Sequence, residues 1–226
     1  MKKKSLTALI LVAALAATPV TALAAGSAEY SDGGSGSSYS SGSSRDYATT
    51  VTVSSTGVKT TGATTSSNGG SSIGVAVDTV TSTGQQVTVN SKGEAVIGDT
   101  AIGFAMGVAA TAGLPNAVVS SIEAINAGQD LATVTTDVDL TGYSALTGTH
   151  AIITKDASTA AVKTGDVEVS LYVPNLLDSL EGVSVLFYDN ATGRWVLLQP
   201  LAVDPVSKTV TVNVSGSGTL SVVYKR

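Results

Sequence analysis

Two pairs of acidic residues in this 226-residue chain have the spacing of a catalytic or metal-binding site, Asp137-Val138-Asp139 and Asp166-Val167-Glu168. In a strand, residues i and i+2 project to one face about 6.5 to 7 Å apart, close to the separation that glycosidases use between their two carboxyls. Acid catalysis also needs one of the two desolvated, so that it keeps its proton near neutral pH. Both pairs alternate with valine instead, which is the pattern of an outer, solvated face, and no catalytic residue is assigned to them. Calcium takes roughly six to eight oxygens; no D-x-[DN]-x-[DN]-G loop supplies them, and no metal or other cofactor is expected.

The other routes to chemistry are narrow. A Ser-His-acid triad would have to use His150, the only histidine, which sits at the start of a strand pattern where a packing role is the ordinary one. Cysteine is absent, which removes thiolate nucleophiles, disulfides and Cys-based zinc sites. No glycine-rich stretch is followed by the strand and helix that would aim amides at a phosphate. What remains is recognition by aromatic rings, on which apolar sugar faces stack. Aromatics make up only 4% of the chain, and Tyr172, Tyr188 and Trp195 are the candidate ligand contacts. Tyr172 shares a strand face with Asp166, Glu168 and Ser170. Tyr188 lies opposite Phe187 in the alternation, and Trp195, the only tryptophan, follows the turn Asp189-Asn190-Ala191-Thr192-Gly193.

The elements that must hold these residues are mostly strands. Val167, Val169, Leu171 and Val173 alternate with polar neighbours, as do Val210, Val212 and Val214, and then Leu220, Val222 and Tyr224. Each such run has one wet and one dry face, as in an antiparallel sheet packed on one side. Turn residues at Asp189 to Gly193, Asp204-Pro205 and Ser215 to Gly218 separate them at a sandwich-like spacing. One helix is expected over about 115–127: Pro115 suits its first turn, Val118, Ile122 and Ile125 recur on one face, and Gly128 ends it. The stretch 98–113 mixes alanines that favour helix with glycines that oppose it, at about 1 kcal/mol each.

Ahead of these elements the composition changes. Lys2, Lys3 and Lys4, the apolar run Leu6 to Ala17, Pro19 and Ala22-Leu23-Ala24 read as an export signal over 1–25, cleaved between Ala22 and Ala25. The apolar run is too short to span a bilayer, which takes about 20 residues. Residues 26–72 are Ser-, Thr- and Gly-rich, a disordered tether with one strand-like run at Thr49 to Val53. A β-rich segment with the accessory helix follows over 73–129, and a β-sandwich domain over 130–226. With the signal removed, nine of the 12 Lys and Arg remain against 17 Asp and Glu. That acidic balance argues against nucleic acid as a partner.

Taken together, the Lys-rich signal, the tether, LPNAVVSSIEAINAG, LTGYSALTGTHAIITKD and the terminal block from VSLYVPNLLDSLEG to TLSVVY resemble uncharacterised secreted Ser/Thr/Gly-rich proteins of anaerobic Gram-positive bacteria with a C-terminal β-sandwich-like domain. The resemblance covers about the last 110 residues. It implies an extracellular β-rich domain and carries no activity, cofactor or catalytic residue. The sequence is therefore read as a mainly β protein, an antiparallel Ig-like sandwich with one short accessory helix. It is expected to be secreted or held noncovalently at the cell wall, without a membrane anchor once the signal is cut. Its expected role is noncatalytic, namely adhesion, surface display or binding of an extracellular glycan or protein. The alternative is a secreted glycan hydrolase working through acidic residues.

Overall fold

The computed structural model describes residues 51–64 and 72–226. The export signal over 1–25 and, of the stretch read as tether, residues 26–50 and 65–71, with Thr49 and Thr50 of its strand-like run, lie outside the described residues. The described chain is mainly β and has a single α-helix. The first strands are β1 (Val51–Val53), β2 (Lys59–Thr64), β3 (Ile73–Ala76), β4 (Thr79–Val80) and β5 (Gln86–Val89). They are followed by β6 (Ala95–Ile97), β7 (Thr100–Ala105), β8 (Tyr143–Ala145), β9 (His150–Asp156) and β10 (Val167–Tyr172). The last are β11 (Glu181–Asp189), β12 (Arg194–Leu198), β13 (Ala202–Asp204), β14 (Thr209–Val214) and β15 (Gly218–Lys225).

These strands form two antiparallel sheets. The first has the order β1-β2-β3-β10-β14-β13; the second runs β12-β11-β15-β9-β7-β6-β5-β4, with β8 added against β15. Strands from both sides of residue 130 share each sheet. The strands β1 and β2 fall within the stretch read as tether. Their threonines explain why: Thr60 and Thr61 are buried, and Thr52 and Thr60 join hydroxyls across the pair at 3.0 Å.

The alternation in β10 and β14 sorts as the sequence predicts. Val167, Val169 and Leu171 pair in register with Val214, Val212 and Val210, and all six point inward. Opposite them the second sheet contributes Ile102, Phe104, Ile152, Val185, Phe187, Leu220 and Val222 to the same core. Burial of a side chain of this kind is worth about 1.5 to 3 kcal/mol, so the inter-sheet layer dominates the fold. His150 belongs to this interior, 4% exposed and edge-on to Phe104 with ring centroids 6.4 Å apart.

The ambiguous stretch 98–113 resolves into strand β7 and a short 3-10 turn, Gly107–Ala110. The chain then leaves the sheet and enters helix α1 (Asn116–Asn126), one residue inside the expected bounds at each end. Gly128, at φ +70°, ends it: its N–H bonds to the carbonyl of Ile125, and that of Gln129 reaches back to Ala124. This is a Schellman closure, which needs a left-handed residue at that point.

The narrow stripe of Val118, Ile122 and Ile125 lies against Leu186, Tyr188, Trp195 and Val223, with Leu131, Val134 and Leu140 closing the cluster. This second core covers the outer face of β11, β12 and β15. Asn126 fixes the helix to the sheet by accepting from the backbone N–H and the hydroxyl of Thr149 at 2.7 and 3.1 Å. Among the described residues no helix is long and apolar enough to cross a membrane.

Candidate functional site

The hairpin that carries Tyr188 and Trp195 is built by its turn. Asp189 accepts the Gly193 N–H on its carbonyl and the Ala191 N–H on its carboxylate, each at 2.8 Å, while Gly193 turns at φ +68°. Asp189 pairs directly with Arg194, so four residues form the loop and the next pair inward is Tyr188 with Trp195. Cross-strand partners share a face. Here the two rings meet at a centroid distance of 5.4 Å and an interplanar angle of 56°.

The alternation puts Tyr188 on the side of its strand opposite Phe187 and leaves the side of Trp195 open; the structure has both rings on the outer side of their sheet. There each is only 3% exposed, because α1 and the segment after it lie over that face. Neither ring is an open platform. Tyr172, on the other sheet, is half-exposed beside Glu168 and Ser170, and it is not brought near the other two.

At the margin of the helical cap the rings form one wall of a groove of about 770 Å³. Val118, Ala117 and Ala124 of α1 add apolar surface, and Ser120, Ser121, Gln129, Thr133, Thr135 and Thr136 supply hydroxyl and amide groups. Asp137 is the one charged residue lining it. Its carboxylate accepts the backbone N–H of Trp195 at 2.9 Å, which satisfies an outward donor on the sheet's edge strand. Ser121 donates to the carbonyl of Val134 at 2.7 Å and holds the far wall to the helix. These polar wall residues escape sequence reading because each is an ordinary solvent-facing residue of a helix or loop.

The two acidic pairs separate in different ways. Asp137 turns to Trp195, while Asp139 caps its own turn at the N–H of Thr141, 2.9 Å away; the hydroxyl and then the N–H of Thr141 hold its carboxyl below the usual carboxylate range. Asp166 and Glu168 share a smaller concavity, about 390 Å³, with Asp99, Lys163 and Ser82. There the ammonium of Lys163 pairs with Asp99 and lowers its pKa. The backbone N–H of Ser82 reaches Glu168 at 2.7 Å, and its hydroxyl bonds to the same carboxylate. Asp99 and Asp166 are exposed to solvent.

Among the described residues no group of three or more acidic or imidazole side chains is placed to hold a metal ion. Residues 70–74, GSSIG, have the spelling of a nucleophile elbow. Gly70 and Ser71 lie outside the described residues, and Ile73 opens strand β3 rather than the helix that follows such a serine.

Fold and groove together define a two-layer antiparallel β-sandwich whose second sheet is roofed on its outer face by a helical insertion with a polar-rimmed groove at its margin. Compared with family models, curated proteins and solved structures, the chain finds no match.

Proposed function

We propose that this is a secreted, noncatalytic extracellular protein, and that the groove between α1 and the β11–β12 hairpin binds an uncharged, hydroxyl-rich ligand such as a glycan. The observation that carries the reading is the composition of the walls: the small apolar side chains Ala117 and Ala124 over the buried edges of Tyr188 and Trp195, uncharged hydroxyls and amides, and one carboxylate already engaged by the backbone. Neutral sugars need an apolar surface with a few placed polar groups around it. An anionic ligand would require a cation, and no lysine or arginine lines this groove. Export is supported by the residues of the signal pattern, Lys2 to Ala25.

The hydrolase reading keeps one observation, the shared concavity of Asp99, Asp166 and Glu168. Against it stand the exposure of Asp99 and Asp166 and the structural bonds of Asp99 and Glu168, since a general acid needs a desolvated carboxyl.

The test is a glycan array probed with the full chain, followed by titration of any hit. Ala117→Trp and Thr136→Arg fill the groove from exposed positions, so they should abolish binding without lowering the melting temperature. Binding that survives both substitutions would place the site elsewhere. Release of reducing sugar from a bound glycan, lost in Asp166→Asn, would instead establish the hydrolase.

A further inference from the structure

On the outer face of the second sheet, away from the groove, a lysine, a glutamate and an asparagine are joined in one line. Glu94 immediately precedes β6, and Lys155 is on β9, two strands away. The glutamate crosses Gly103 of the intervening β7, where a Cβ would stand 3.6 Å from Oε1. Oε1 is 3.2 Å from the Nζ of Lys155, and Oε2 accepts the side-chain N–H of Asn90 at 2.9 Å. The site is largely dry, with the side chains of Lys155 and Glu94 18% and 9% exposed.

The carboxamide of Asn90 is also polarised. Its Oδ1 accepts two backbone N–H groups, from Lys92 at 2.9 Å and from Glu94 at 3.0 Å. Two fixed amides on a carbonyl oxygen are the arrangement that stabilises a tetrahedral oxyanion. A carboxylate in contact with both the amine and the amide nitrogen is placed to move protons between them. Nucleophile, base, electrophile and oxyanion donors are thus all present, and they come from two segments distant in sequence.

We propose that Lys155 and Asn90 become joined by an intramolecular amide bond, with Glu94 as the proton relay. The ammonium of Lys155 gives a proton to the Glu94 carboxylate. The freed Nζ attacks Cγ of Asn90, and the negative charge collects on Oδ1 between the N–H groups of Lys92 and Glu94. Glu94 then passes its proton to Nδ2 and receives one from the attacking nitrogen. The Cγ–Nδ2 bond breaks and ammonia leaves, so that Nζ–Cγ replaces Cγ–Nδ2 with no redox change and no outside reactant. The product would clip the β5–β6 hairpin to β9 in a chain that has no cysteine for a disulfide. Like a disulfide, a bond closing so long a stretch of chain restricts mainly the unfolded state.

Intact mass of the denatured full chain tests this. The wild type should be lighter than its sequence by one ammonia, whereas Lys155→Arg and Glu94→Gln should carry their full sequence masses. Proteolysis of the wild type should yield a branched peptide joining the segment around Asn90 to that around Lys155. A wild-type mass with no ammonia missing overturns the proposal. So does an ammonia loss that persists in Lys155→Arg, because a succinimide at Asn90 has the same mass and needs no lysine. If Lys155→Arg fails to fold, the branched peptide in the wild type decides alone, by its presence or absence.

Discussion

Tyr188 and Trp195 are direct cross-strand partners whose rings touch beneath α1, on the face of the sheet turned away from the main core. They are therefore the floor on which the helical cap rests. Trp195→Ala should remove about 3 to 5 kcal/mol of stability, the usual cost of emptying a buried aromatic site. The loss should be felt first in the cap, so hydrogen exchange should accelerate across residues 116–126 before it does in β10 and β14. Uniform acceleration across both sheets would show that the second core is not a separate layer.

Asp137 is a backbone cap. The N–H of Trp195 points outward from the edge strand β12, and the Asp137 carboxylate is its acceptor. Asp137→Ala should lower the melting temperature and speed exchange at the Trp195 amide, while Asp137→Asn, which keeps an oxygen in place, should do much less. Equal effects from the two substitutions would argue that the charge, rather than the acceptor, is what matters.

The division between what the sequence reveals and what it conceals follows from periodicity. Alternation separates the two faces of β10, β14 and β15, because a strand repeats every two residues. It says nothing about what lies over the second face. A cue to the cap was available: the outer positions of the last sheet are themselves apolar, Leu186 and Leu197 facing each other and Val223 nearby. Strands buried on both faces read as continuous apolar runs, and VSVLF, WVLL and LSVV are such runs. A helix with one apolar stripe requires such a surface.

The strand β2 was hidden for a different reason, since KTTGAT offers little apolar signal and Thr60 and Thr61 are buried through hydroxyl bonds. Carboxylate spacing presumed strands that the chain does not form there: Asp137 and Asp139 lie in the irregular segment before β8, Asp166 precedes β10, and it is the partners that turn Asp137 to a backbone amide and bring Glu168 to Ser82. The Glu94–Lys155–Asn90 line joins segments far apart in sequence, so no local pattern announces it.

Gly218 opens β15 opposite Asp189, and its lack of a side chain is a steric requirement. A Cβ there would strike the carbonyl oxygen of Tyr188 and stand 2.5 Å from two ring carbons of Phe187, one of the largest fully buried side chains. Neither the β11 backbone nor a close-packed Phe can retreat. Gly218→Ala is therefore expected to cost more than the ordinary 1 to 3 kcal/mol of core overpacking, roughly estimated, and to appear as loss of soluble, cooperatively folding protein. Gly57→Ala is the comparison, because nothing stands within 4 Å of that position; its cost should be limited to strain at φ +80°. Similar behaviour of the two variants would remove the steric argument.

Acid should loosen the turn after β9 through Asp156. Its Oδ1 accepts from the hydroxyl and N–H of Ser158 at 2.6 and 3.0 Å and from the N–H and hydroxyl of Thr159 at 2.8 and 2.9 Å. The Ser158 hydroxyl is the largest cause, and together these donors hold the carboxyl far below its ordinary value of 3.8. A carboxylate whose folded pKa lies below its unfolded one binds fewer protons in the folded state, so its contribution is complete above the ordinary value and is lost as pH falls below it. Asp204, bonded to Ser207 and to the Val206 N–H, acts in the same sense. The melting temperature of the wild type should consequently fall as pH drops below the ordinary aspartate range, and Asp156→Asn should flatten part of that fall while lowering the plateau near neutral pH. Asp204 is exposed and Asp156 half-exposed, so the slope is also expected to shrink as salt screens the charge. An Asp156→Asn profile that runs parallel to the wild type at every pH would mean that this turn's bonds form equally well with the protonated acid.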